Sequence, residues 1–448
     1  MILKTKLRAL LPLLALLLVF TVVNSVTVQA QQRSIPTANY DSQFAADWML
    51  FTYELVRGET VNAPAASRVY AYTAIALYES VVFGMPSNFS VAGQMDGLDA
   101  LPYPASGEVY DWLSVANGSI STVLHSLFPS IAEDAHERID TMREEQNALR
   151  LTETDASIVE RSISFGDELG EQLVAWIMTD GYVDIRKNQY ALPAGDPSFW
   201  VPTTAGQTPL EPFWADLRPF GMGYSSQCNV PIALEFSTDP NSTFYRQAEE
   251  VMNTFTNLTE EQREIARFWL DTPGITGAPS GHWLMIQMQF AEQAGLTLDR
   301  TAEMYMLTST AVADAFISAW DMKYQLNLLR PVTYIQTYIR PNWQPYIQSP
   351  PFPEYPSGHS VASGAAAEVL TTMFGQVAFT DRTPVINGHE QIERSFTSFE
   401  AAASEAAISR MYGGIHYRAA IELGLRQGRC VGERVLNNIL LRSIPQGE

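Results

Sequence analysis

Three polar clusters lie in otherwise apolar sequence between Trp320 and His416, and their residue types suit one task, holding a tetrahedral oxyanion. The first is Lys323, Arg330 and Pro331 in WDMKYQLNLLRPV; the second is Ser357, Gly358 and His359 in PPFPEYPSGHS. The third is Ser409-Arg410 with His416 following in SRMYGGIHY. Arginine offers a planar fork of donors and lysine a compact charge. A serine hydroxyl and a free N–H at a helix start add donors without adding charge. Each cluster alone has an ordinary explanation as a solvated face or a turn. All three together, in surroundings where unpaired cations are costly, point to a bound anion.

Helical periodicity places the first cluster. At about 100° per residue, Lys323 and Arg330 fall roughly 20° apart, with Trp320 and Asn327 within about 60° on the same side. The expectation is one helix carrying all four and ended by Pro331. Ser357 reads as the N-cap of a following helix through SVASGAAAEVL, its first N–H groups and dipole directed at the same anion. Gly413-Gly414 breaks the helix between Arg410 and His416, which lets the histidine open the next helix and turn back.

Arranged as K-x6-R-P, then P-S-G-H, then S-R-x5-H, these seven oxyanion-site residues resemble the signature of the vanadium-dependent haloperoxidase and acid phosphatase (PAP2) superfamily. The flanking text favours the haloperoxidase branch: W-x-x-K-Y, R-P-V-x-x-I and P-x-F-P-x-Y-P-S-G-H, with the alanine-rich AYTAIALYE at Ala71 to Glu79 in the first half. The resemblance implies an all-α fold of two packed helical bundles with long irregular connections and the site in the second bundle. It implies vanadate as cofactor, bonded by His416, with Lys323, Arg330, Ser357, the Gly358 N–H and Arg410 around its oxygens. His359 would be the acid–base group and Lys323 would polarise bound peroxide, so that hydrogen peroxide oxidises halide to hypohalous acid. The same residues would serve a metal-independent acid phosphatase, with a phosphohistidine at His416 and His359 protonating the leaving oxygen. A member that binds the anion without turnover is the third possibility. Trp320 and Phe352 stand where haloperoxidases line the halide side, and an aromatic rather than a histidine at Phe352 resembles the chloride-oxidising pattern. Packing in the core explains the two rings equally well.

Beyond the clusters, Asp271 is a candidate partner for a site arginine, and Asn327 a candidate support on the face of Lys323. His282 and His389 are single histidines within possible reach of the site mouth, while His125 and His136 lie in first-half helices with no expected chemical role.

Residues 1–30 read as a secretory signal: Lys4, Lys6 and Arg8, an apolar run from Leu10 to Val23, and a small-residue site ending at Ala30. A secreted or periplasmic protein is therefore expected. Loss of that leader moves the net charge from −21 to −24, which argues against nucleic-acid or anionic-membrane partners and means that an anion enters against the global field. No later stretch is long and apolar enough to span a membrane; the most apolar helix, around Met304 to Trp320, carries Asp314 and reads as buried core. Cys228 and Cys430 are either one disulfide or two buried thiols.

Helical periodicity runs through Asp41–Val56, Ala66–Phe83, Val109–Leu127, Ile131–Leu149 and Asp155–Asp180. Residues 181–245, rich in Pro, Gly and Trp, read as an ordered irregular connection. Thr259 caps a helix to Trp269, and Thr297–Leu329 holds one long or two stacked helices. Tyr334–Pro356 and Gly375–Ser395 are expected to be non-helical, followed by helices at Phe399–Tyr412 and Ile415–Leu441. The organisation expected is residues 31–245 as an N-terminal helical half and residues 246–448 as the bundle bearing the site.

Overall fold

The computed structural model describes residues 33–128, 132–232, 234–386, 388 and 392–442. The leader at residues 1–30 and His389 lie outside the described residues. In chain order the helices are α1 (Gln43–Gly58), α2 (Ala63–Val81), α3 (Trp112–Leu127), α4 (Glu133–Glu153), α5 (Ala156–Ile177) and the short α6 (Tyr182–Ile185). Then come α7 (Thr243–Thr256), α8 (Glu260–Phe268), α9 (Ala278–Ala294), α10 (Leu298–Leu326), α11 (Pro331–Tyr338) and α12 (Gly358–Phe374). Strands β1 (Phe379–Asp381) and β2 (Arg394–Phe396) flank the short α13 (Thr383–Ile386) and pair antiparallel, before α14 (Phe399–Tyr412) and α15 (Arg418–Asn438).

Helix α10 is the axis of the molecule. Apolar and small residues occupy every side of it, so a helix of this composition is stable only when buried all round. It lies against α2 on one flank and α12 and α15 on the other. Its acid Asp314 is fully buried and accepts the backbone N–H groups of Phe220, Gly221 and Met222 at 2.7, 2.8 and 2.8 Å. Those three bonds tie the irregular segment after α6 onto the core. Cys228 of the same segment is joined to Cys430 of α15, with Cα atoms 5.7 Å apart, so the disulfide is the alternative realised.

Four expectations need correction. Lys323 and Arg330 do not share a helix. Asn327 adopts the left-handed conformation (φ 47°, ψ 37°) and caps α10, while Arg330 is extended and caps α11. Proline forces its predecessor toward extended backbone and suits the first helical turn, so Pro331 begins a helix instead of ending one. The expected non-helical stretch from Tyr334 accordingly starts after Tyr338. The stretch Gly375–Ser395, expected to be a loop, holds β1 and the short α13 and runs into β2, which ends at Phe396. Helices α7 and α9 carried no expectation at all; α9, with its run GHWLMIQMQF, is apolar on all faces and shows no period to read.

Helix α12 carries Ser357, Gly358 and His359 at its start, and its seating against α15 is set by glycines. A Cβ on Gly428 would lie 2.1 Å from the carbonyl oxygen of Val361, and one on Gly364 2.6 Å from that of Leu425. With Gly424 and Gly432 on the same face of α15, the two backbones touch directly. Gly428→Ala is expected to destabilise the protein by about 3 kcal/mol, the upper end of overpacking costs, as read by chemical denaturation.

Candidate active site

The loop from Pro350 to Pro356 is shaped by a lysine. Lys323, at the last turn of α10, donates its ammonium protons to the carbonyls of Pro353 (2.9 Å), Glu354 (3.0 Å) and Pro356. It is fully buried, and burial, with Arg330 adding repulsion, holds its pKa well below the ordinary value. Lys323 is therefore near the site but directed at the loop. Ser357 then caps α12, accepting the Ser360 N–H at 3.4 Å.

Arg330 leaves the start of α11 and donates Nε to Phe352 O (2.9 Å) and Nη1 to Ile415 O (3.1 Å). The same Nη1 stands 3.2 Å from His416 Nε2. Arg410, in the last turn of α14, donates Nη1 to Trp269 O and places it 3.4 Å from His359 Nε2. Burial draws both guanidiniums down to about 10, which leaves them charged at neutral pH. Arg330 Nη2 and Arg410 Nε are buried with no hydrogen-bond partner. Unsatisfied cationic donors in an apolar interior are costly, and an oxyanion satisfies them.

His416 is oriented by a residue that the sequence reading passed over. Its Nδ1 lies 2.8 Å from Glu354 Oε1, and the same oxygen accepts the Tyr417 N–H at 2.9 Å. A carboxylate oxygen only accepts, so Nδ1 carries the proton and Nε2 presents its lone pair. Arg330 Nη1, a donor facing Nε2, requires the same tautomer. Burial, with Arg330, Lys323 and Arg410 nearby, pushes the His416 pKa well below its usual range, so the ring is neutral. Burial also raises Glu354 to about 7, against the pull of Arg330 and Lys323. The signal for Glu354 was present as an acid within a Pro-rich apolar loop two residues before Pro356, but nothing in the spacing said which ring it would meet.

His359 occupies the other side. Its Nε2 stands 3.5 Å from Asp271 Oδ2, and Asp271 also meets His282 Nδ1 at 2.8 Å. Asp271 thus pairs with two histidines and not, as expected, with an arginine. Burial and the Arg410 charge outweigh Asp271 and hold His359 down to about 4, below the value near 6.5 usual for histidine. The hydrogen bonds of Asn327 go to Tyr190 and Tyr324, which makes it a helix terminator apart from the cluster. His282 is buried and clamped between acids, while His125 and His136 pair with each other in the first half of the chain.

Gly358, His359, Arg410 and His416 open onto a cavity of about 730 Å³, walled by Trp320 and Phe352 and rimmed by prolines. The two rings pack 5.0 Å apart, and Phe352 lies under both Lys323 Nζ (4.9 Å) and Arg330 Cζ (4.8 Å). Apolar walls exclude water around the cations and strengthen their pull on an anion. Lys323, Arg330 and Ser357 are fully buried behind this wall.

Residues 303–442 match the family model of the VCPO second helical-bundle domain. No match was found among curated protein sequences. Among solved structures, the chain is similar to one described as the first bacterial vanadium-dependent iodoperoxidase, at 35% identity and a TM-score of 0.85, covering 91% of this chain and 99% of that one. It is also similar to a bacterial vanadium-dependent chloroperoxidase in holo and apo forms, at 16% identity and TM-scores of 0.64 and 0.65. Those matches cover 85% of this chain and 93% and 94% of the other, and at that identity they speak for the fold alone.

Glu354→Gln removes the carboxylate that fixes His416. A loss of roughly 10- to 100-fold in affinity for vanadate is expected, measured by titration calorimetry, with the fold intact by circular dichroism.

Proposed function

Because the chain belongs to the vanadium-dependent haloperoxidases, we propose that it uses hydrogen peroxide to oxidise halide to hypohalous acid, with vanadate held at His416. One observation carries the assignment to this pocket: Arg410 and the neutral His416 line one cavity, and Arg330, buried behind its wall, meets the unprotonated His416 Nε2 with Nη1, while Arg330 Nη2 and Arg410 Nε have no partner. The residues fit the group. His416 Nε2 would be its protein ligand, and Arg330, Arg410, Ser357 and the Gly358 N–H would neutralise its oxygens. When bound, vanadate supplies Lewis-acid activation of peroxide without changing its own oxidation state.

The chain's part is binding and proton control. Glu354 holds the Nδ1 proton of His416, so that the ring is committed to one tautomer before any anion arrives. Arg330 and Arg410 draw the anion against the protein's negative field, and the Trp320–Phe352 wall keeps water from screening them. His359, neutral and in contact with Asp271 and Arg410, is placed to accept a proton at Nε2 as peroxide arrives and to return it when hypohalous acid leaves. An anion beside it raises its proton affinity above that of the empty site. Lys323 acts through the loop, holding three carbonyls in place, and its charge adds to the field at His416.

For the halide, 35% identity to a protein described as an iodoperoxidase supports iodide as the preferred substrate, in place of the chloride that the aromatic at Phe352 suggested from sequence. The charged and apolar leader at residues 1–30 supports export as part of this reading.

The test uses protein stripped of oxyanions. Halogenation of a phenolic dye is expected only with vanadate, peroxide and halide together, fastest with iodide. Phosphate release from a monoester, inhibited by vanadate and needing no metal, would instead identify phosphatase chemistry at the same histidine. His416→Ala is expected to abolish turnover and vanadate retention. His359→Ala is expected to lower kcat about 10²-fold or more while changing vanadate affinity far less.

A further inference from the structure

Behind His359 runs a line of buried ionisable groups of which the mechanism above uses only Asp271, the first. Asp381, on β1, places Oδ2 2.8 Å from His282 Nε2, and Asp271 places Oδ1 2.8 Å from His282 Nδ1. All three side chains are buried, with side-chain exposures of 0, 1 and 2% for Asp381, His282 and Asp271. A neutral imidazole has one donor and one acceptor nitrogen, so it can satisfy only one of two carboxylates. Both bonds at this distance require both nitrogens to donate, and the ring is then an imidazolium.

The surroundings hold that arrangement. Asp381 Oδ1 is occupied by the Thr383 N–H (2.9 Å), the Thr383 hydroxyl (2.7 Å) and Gln289 Nε2 (3.4 Å), which leaves Oδ2 for His282. The Trp269 ring stacks on His282 with centroids 4.3 Å apart and planes at 20°, a cation–aromatic contact. Asp271 has its backbone in the left-handed region (φ 49°), an unfavourable state for a residue with a side chain, retained here where it directs Oδ2 at His359. The charged and titratable groups around the line are Arg410 of α14 and His359 of α12, while Arg267 of α8 shares a small cavity with His282 and Asp271.

His359 Nε2 is therefore placed between a donor, Arg410 at 3.4 Å, and an acceptor, Asp271 at 3.5 Å. Whether it accepts or donates depends on how much negative charge Asp271 presents. We propose that His282 is a positioning residue, a permanently charged imidazolium shared by Asp271 and Asp381, which aims Asp271 at His359 and neutralises enough of its charge to leave His359 a neutral acceptor. Burial lowers and the two carboxylates raise the His282 pKa, with a net rise to about 10, and the His282 charge is one of the influences holding His359 down. The inference rests on His359 as the proton-transfer group, but its test reads protonation in the anion-free protein and needs no halide oxidation.

The experiment is nitrogen-15 NMR of histidine-labelled protein without vanadate or phosphate. The wild-type His282 ring is expected to show both nitrogens protonated from about pH 6 to about pH 9, where an ordinary histidine is neutral. A single neutral tautomer in that range overturns the proposal, and this measurement requires no variant. His282→Asn keeps an N–H donor near the Nδ1 position and removes the charge. The His359 titration midpoint is then expected to rise by about one pH unit, with the acid limb of the kcat profile moving the same way. A role limited to packing would free Asp271, removing a carboxylate from His359, and the midpoint would fall or stay; either result overturns the proposal. Asp381→Asn, which leaves the bond to Asp271 in place, is expected to bring the His282 midpoint below about 9. No change in that variant would likewise refute the shared-cation arrangement.

Discussion

Three cations buried side by side are the constraint on which this structure depends. Lys323, Arg330 and Arg410 are at most 2% exposed, and the nearby acids are Glu354 and Asp271, the second already shared with His282. Burying a charge without a partner costs several kcal/mol, so the fold must supply donors' partners from the backbone. It does so with the carbonyls of Trp269, Phe352, Pro353, Glu354, Pro356 and Ile415, nearly all from segments without regular structure. Irregular backbone is what frees carbonyls from helix or sheet bonding, and this explains why a largely helical protein keeps a long unstructured run immediately before α12. The remaining deficit of negative charge is what an oxyanion supplies.

The two histidines are tuned by opposite means to the same neutral state. His416 is turned by a carboxylate at Nδ1 and surrounded by cations, so its free nitrogen is the one facing the arginines. His359 is balanced between Arg410 and a carboxylate weakened by His282. One ring is fixed with its lone pair toward the arginines and the other stays able to take up a proton. The difference lies in which carboxylate reaches which nitrogen.

Much of the site was legible because its residue types are unusual for their surroundings. Lysine, arginine and histidine in apolar sequence are conspicuous, and the capping roles of Ser357 and Thr259 followed from their positions before helical runs. The helix from Phe399 to Tyr412 was likewise readable to its ends. What stayed hidden depends on long-range approach. The wheel argument joining Lys323 to Arg330 assumed that periodicity continued through Asn327, where a left-handed residue ends it. Glu354 and His282 were visible as residues but not as partners, because their meaning comes from His416 and from Asp381, which are 62 and 99 positions away. Helix α9 was invisible because burial on all sides erases the period that sequence reading relies on.

The glycine seam between α12 and α15 places Ser357, Gly358 and His359, at the start of α12, under the control of a helix that contributes none of the cavity's polar groups. Where Gly428 and Gly364 bring the two backbones into contact there is no compressible layer to absorb a change, so any thickening of α15 there would be transmitted to α12. How far the cradle stands from its arginines is thus set by the spacing of glycines near the end of the chain, and tolerance to variation there should be as narrow as at the histidines themselves.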